Sequence, residues 1–176
     1  MTSATPPSLP AQFMKLVPPP APNCPSVQRL QEKARAILVA GAPAPLPQPV
    51  MDLQERLLGR LLGTGAVGRR LYVLEIAGPI PRVKIGRSQN FWKRVNDHLR
   101  EMNRYQYGLV DAHLTERLSD RAIERAEAKA HGWMSERYRS ITKEEYANAD
   151  YGFAVTCADA AVGLYRTHPS RKQPPA

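Results

Sequence analysis

LYVLEIAGPIPRVKIGRSQNFWKRVNDHL, residues 71–99, holds two short apolar runs, a turn and the start of a helix. Leu71 to Ile76 and Arg82 to Arg87 are strand-like runs of about six residues, and the Ala77 to Pro81 loop between them carries Gly and two Pro. An antiparallel hairpin is expected. From Asn90 the period becomes helical, because at about 100° per residue Phe91, Val95, His98 and Met102 share one narrow arc, with Arg94 at its border. His98 is therefore expected to point toward the same interior as Phe91 and Val95. Arg94 lies one turn before it, a spacing at which two side chains meet. A large cation beside an inward histidine is an unusual choice for a face that only packs.

These residues resemble the GIY-YIG nuclease domain. The family's first signature is a Gly-Ile-Tyr strand, which here reads Arg70, Leu71, Tyr72, and the second falls on Lys84, Ile85, Gly86 after eleven intervening residues. Downstream, Gly86, Ser88, Asn90, Phe91, Arg94 and His98 keep the family register without a gap, with Phe in place of Leu. Lys84 stands where the family name has tyrosine, and this Lys-Ile-Gly version resembles a phage-type branch often described as DNA-binding. A metal-binding glutamate on a later helix is a further family feature, and the resemblance assigns it to Glu127 in ERAEAKAH, with His131 four residues on. Family members often place an asparagine near the end of the domain, a position that Asn148 would occupy. The resemblance spans roughly residues 69–150. It implies an α/β (α+β) domain built on a small, three-stranded, mainly antiparallel sheet flanked by helices.

The chain has 176 residues, enough for one domain with appendages. Its 25 Lys and Arg against 16 Asp and Glu give a formal charge of +9, which favours a polyanionic partner. Seven basic and two acidic residues lie between 82 and 104, so the excess is concentrated around the motif. Arg82, Arg87, Lys93, Arg100 and Arg104 are the candidates for contact with a DNA backbone. Cys24 and Cys157 are isolated, with no Cys/His cluster beside either, which argues against a structural zinc. Without a signal-like start or a run of ~20 apolar residues, a protein of the reducing cytoplasm is expected, with no membrane partner.

Twelve of the seventeen prolines lie in the first 50 residues, in runs such as PPP at 18–20 and APAPLPQP at 42–49. Residues 1–68 are read as a Pro-rich, partly disordered arm interrupted by two short helices. Val27, Leu30, Ala34, Ile37 and Leu38 have helical spacing in the first, and Leu53, Leu57, Leu58, Leu61 and Leu62 in the second. Both are expected to pack on the neighbouring domain. GTGAVG at 63–68 reads as a flexible joint, with glycines too irregular for a phosphate loop.

Beyond the motif, Leu109 to Leu114 alternates as a third strand, and Ser119 and Asp120 start a helix whose buried side is Ile123, Ala126, Ala130 and Met134. Glu127 lies about 40° from Ile123 on that helix and faces inward at its edge, while Glu124 turns toward solvent. A salt bridge from Glu127 to Arg94 or Lys84 is the alternative to a metal there. Residues 141–150 suggest a short helix, Tyr151 to Thr156 an extended segment, Ala158 to Tyr165 a closing helix, and RTHPSRKQPPA a basic tail.

Hydrolysing a phosphodiester needs an activated water, compensation of charge on the phosphoryl oxygens and help for the leaving oxygen. The resemblance divides these tasks among Tyr72, Lys84, Arg94, His98 and Glu127. Glu127 would hold one Mg²⁺ or Mn²⁺, since such a cation keeps several waters and takes only one or two carboxylates. Arg94 would fork two hydrogen bonds to phosphate. Tyr72 or His98 would take the proton, Lys84 favouring a phenolate or acting on the water itself. Two other classes remain beside the endonuclease: a DNA-binding module without turnover, and an adaptor whose Pro-rich arm fills a groove on a protein partner.

Overall fold

A computed structural model of the chain describes residues 25–42, 45–63 and 67–166. The proline runs before residue 25, the centre of the GTGAVG joint and the tail after Arg166 lie outside the described residues. Two helices come first, α1 (Pro25–Val39) and α2 (Gln48–Gly63). Pro25 opens α1 and Pro49 falls in the first turn of α2, where a missing N–H leaves no helical bond unmade. Then follow β1 (Val67–Ala77), β2 (Arg82–Asn90), α3 (Phe91–Arg104), β3 (Gly108–Leu114), α4 (Asp120–Arg137), β4 (Glu145–Ala147) and α5 (Tyr151–Tyr165). The architecture is α+β, an antiparallel sheet flanked by helices.

The sheet has four strands in the order β3-β1-β2-β4, one more than the sequence suggested. The extra strand is β4, within the segment expected to be a short helix; it pairs with Arg82, Val83 and Lys84 of β2. Three residues are too few to show a period, so only this distant pairing defines the strand. A second correction concerns residues 151–165, which form one helix rather than an extended piece and a helix. Asp150 caps it, accepting from the Phe153 N–H at 2.6 Å, and the small residues Ala154, Cys157, Ala158 and Ala161 form its buried side.

β1 is buried on both faces. Tyr72, Leu74 and Ile76 pack with Phe91, Val95, Leu99 and Met102 of α3 and with α1 and α2, while Leu71 and Val73 pack with Val83, Ile85, α4 and α5. That explains why Leu71 to Ile76 reads as a nearly unbroken apolar run. The helices before the sheet do pack on it, as their spacing suggested.

The outer edge of β3 is sealed by α1 and α2. Gln54 Oε1 accepts from the Leu109 N–H at 3.2 Å, Gln31 Nε2 donates to the Val110 carbonyl at 3.2 Å, and Arg60 donates to the Ala112 carbonyl at 2.7 Å. An uncovered edge would offer the same groups to another strand. Gln54 is itself buried. Gln54→Leu should therefore leave the Leu109 N–H unpaired and lower stability by about 1–3 kcal/mol, read as a drop in the urea midpoint. A midpoint equal to wild type would contradict this sealing role. No helix among the described residues is long and apolar enough to cross a membrane.

Candidate active site

Tyr72 lies on the central strand directly opposite Gly86 of β2. Its ring covers the glycine so closely that a methyl group at Gly86 would collide with the phenol, 2.6 Å from Cζ. The glycine of the second signature is thus required by the tyrosine of the first. α3 starts immediately after β2, with the Asn90 side chain accepting from the Lys93 N–H at 3.2 Å as its N-cap. The arc read from the sequence holds: Phe91, Val95, His98 and Met102 are all buried.

His98 Nε2 sits 3.2 Å from the Tyr72 hydroxyl, and Arg94 Nε donates to that hydroxyl at 3.5 Å. Arginine can only donate, so the phenol oxygen accepts from Arg94, while the direction of its contact with His98 Nε2 follows the imidazole tautomer, the phenol donating where Nε2 carries no proton. Burial, then the positive fields of Lys84 and Arg94, push the His98 pKa down to about 4. Burial raises that of Tyr72 against the Arg94 hydrogen bond and the Lys84 charge. At neutral pH both rings are uncharged, and with the imidazole made a weak base and the phenol a weak acid the proton rests on the Tyr72 oxygen.

Lys84 faces the same side of the sheet, since it pairs with Leu74 two positions from Tyr72. The residue is 8 % exposed, and its ammonium is bound by two carboxylates, Glu144 at 2.9 Å and Glu145 at 3.3 Å. Burial alone would lower its pKa; the Glu144 hydrogen bond and the two negative charges outweigh that and raise it. Lys84 therefore stays protonated. Arg82 joins the group, 3.0 Å from Glu145 and stacked 4.2 Å from the centre of the Tyr107 ring. Glu144 and Glu145 escaped the sequence reading because their place beside Lys84 exists only once β4 has paired.

Glu127 stands apart from the tyrosine. α4 covers the opposite face of the sheet, and Glu127 Oε2 is 3.2 Å from Arg87 Nε, while Glu124 takes Nη1 of the same arginine at 2.7 Å. The ionic partner of Glu127 is thus Arg87, not Arg94 or Lys84, because neighbours on a strand point to opposite faces and Gly86 already faces α3. Burial raises the Glu127 pKa, and Arg87 offsets this only in part. No three His, Cys, Asp or Glu side chains gather as a metal cage among the described residues. A hard divalent cation held largely by water and phosphate does not need one, and an incompletely compensated carboxylate suits it.

His131 Nδ1 is 2.7 Å from the Tyr146 hydroxyl, on the α4 side, its pKa lowered by burial. Asn148 is at the Arg82 end of β2, where its N–H donates to the Pro81 carbonyl at 2.8 Å and its φ is +49°. Its position there is that of a turn residue, since asparagine tolerates the left-handed region. Neither residue hydrogen-bonds to the Tyr72 group. The Lys84–Glu144 pair is felt on both faces: both charges act on His98, Tyr72 and His131, and Glu144 also on Glu127.

Of the five basic candidates, Arg82 and Arg87 are engaged by carboxylates. Lys93, Arg100 and Arg104 are exposed, make no ion pair among the described residues and fall within about 40° of one another around α3. Comparison with family models, with curated proteins and with solved structures finds no match for this chain.

Proposed function

We propose that the chain is a metal-dependent endonuclease of the GIY-YIG kind, hydrolysing DNA phosphodiesters. The observation that carries this reading is the Arg94–Tyr72–His98 chain seated over Gly86. In this scheme Arg94 leaves the phenol to fork a phosphate, whose negative charge offsets the Arg94 field that depresses His98; His98 then takes the phenol proton and Tyr72 takes one from water. Lys84, fixed as a cation, favours the phenolate that forms between the two transfers. Glu127 would hold the divalent cation, whose chemistry is to compensate charge on the phosphoryl oxygens. Lys93, Arg100 and Arg104 would follow the DNA backbone.

A second reading, a DNA-binding module without turnover, is favoured by the position of Glu127 on the α4 side and its pairing with Arg87. One assay separates the two: supercoiled plasmid with Mg²⁺, with Mn²⁺ or with EDTA, beside Glu127→Ala. Metal-dependent nicking that the variant lacks is the expected result. Retarded but uncut plasmid in every lane would replace the nuclease with the binding module.

A further inference from the structure

The outer face of α4 carries a ridge of three cations that ends at one acid, Glu136, a turn beyond Gly132. Arg121, Arg125 and Lys129 follow one another at intervals of four residues, within about 80° around the helix and about 12 Å along it. All three are exposed, and none has an ion pair with a described residue. They share this with Lys93, Arg100 and Arg104 of α3, whereas Arg35, Arg60, Arg69, Arg82, Lys84, Arg87 and Arg166 each have a carboxylate. Arg125 has no acid one turn away in either direction, its helical neighbours being Arg121, Ala122, Ala128 and Lys129. Like charges at this spacing disfavour a helix, so the ridge is not there to stabilise α4.

A glycine accompanies the ridge. Gly132 lies within about 20° of Arg121 and of Arg125 around the helix, in the helix interior, and a methyl group there would meet nothing within 4 Å. Glycine is a poor helix former, and no packing neighbour requires it. What it provides is a low surface beside three cations, open to close approach.

We propose that this outer face of α4 is a second nucleic-acid site, which receives a duplex phosphate backbone over Gly132 with Arg121, Arg125 and Lys129 against it. Lys129 is steadied by Trp133, its Nζ 5.0 Å from the ring centre. The site is separate from α3, which lies on the other side of the sheet, so the protein holds two nucleic-acid segments, one on each side. A membrane surface is the poorer partner: the apolar side of α4 is already occupied by the sheet and α5, which leaves nothing to insert between lipids. The α4 site does not rest on the nuclease reading; that it is the second of two rests on the α3 contacts proposed above.

The test is the salt dependence of binding to a labelled DNA duplex, by fluorescence anisotropy in EDTA, so that cleavage plays no part. Three lost phosphate contacts should reduce the slope of log K against log salt by about 2.7 in the Arg121→Ala/Arg125→Ala/Lys129→Ala protein. In a Lys93→Ala/Arg100→Ala/Arg104→Ala background, where the α4 face is the one read, Gly132→Met should weaken duplex binding at least about tenfold at an unchanged helical circular dichroism signal, by filling the low surface with a side chain. An unchanged slope in the triple variant, or undiminished affinity in Gly132→Met, would overturn the proposal. So would wild-type binding to anionic phosphatidylserine vesicles that matches duplex binding and falls equally in the triple variant.

Discussion

Tyr72→Phe is expected to slow metal-dependent nicking by about 10²–10⁴-fold, the range for loss of a positioned proton-transfer group. DNA affinity should stay at the wild-type value, because the hydroxyl is buried beneath Arg94 and His98 rather than presented to the backbone. The substitution preserves the ring that covers Gly86, so the sheet keeps its packing. It does leave His98 Nε2 without its partner, a stability loss of about 1–3 kcal/mol. Rate and stability can be separated by assaying well below the melting temperature. Nicking at the wild-type rate would remove Tyr72 from the proton route.

Acid should destabilise the fold through His98 from about pH 6.5 downward. In the unfolded chain this imidazole takes its proton near pH 6.5, whereas in the fold it does so only at about 4. Between those values the unfolded state binds more protons, so stability falls as pH falls, and the loss is complete below the folded pKa. The corresponding free energy is about 2–3 kcal/mol, allowing for partial solvent screening. Urea unfolding at pH 7 and pH 4.5 should show a drop that His98→Gln reduces by about 2 kcal/mol. Equal drops in both proteins would mean that His98 is not held neutral by burial, Lys84 and Arg94.

The parts of this arrangement that lie close together in sequence could be read from it. The helical arc through Phe91, Val95 and His98 and the hairpin from Leu71 to Arg87 are local patterns, and together they bring Tyr72, Gly86, Arg94 and His98 to one place. β4 was illegible because its three residues are a strand only by virtue of Arg82, Val83 and Lys84, far back in the chain. Glu144 and Glu145 shared that fate, since KEEY looks like a solvated helical turn until it meets Lys84. The α5 segment misled for another reason: its β-branched Val155 and Thr156 suggest a strand, but close packing through Ala154, Cys157 and Ala158 decides in favour of a helix. The partner of Glu127 depends on which face each flanking helix covers. Alternation along β2 then sends Arg87 to α4, but sequence alone does not supply the helix positions.

Both end strands of the sheet are engaged on their outer sides. Gln31, Gln54 and Arg60 occupy one side, and beyond β4 the residues Arg139 to Ile141 take up the other: Ala147 donates to the Arg139 carbonyl at 3.1 Å, and Ile141 to that of Glu145 at 2.8 Å. Recognition by strand addition, in which backbone supplies affinity whatever the side chains are, is therefore opposed at β3 and at β4. Whatever docks beside β3 meets side chains on α1 and α2. A surface of that kind changes one residue at a time, so its preferences can drift or be redesigned by point substitution without touching the backbone that supports Tyr72.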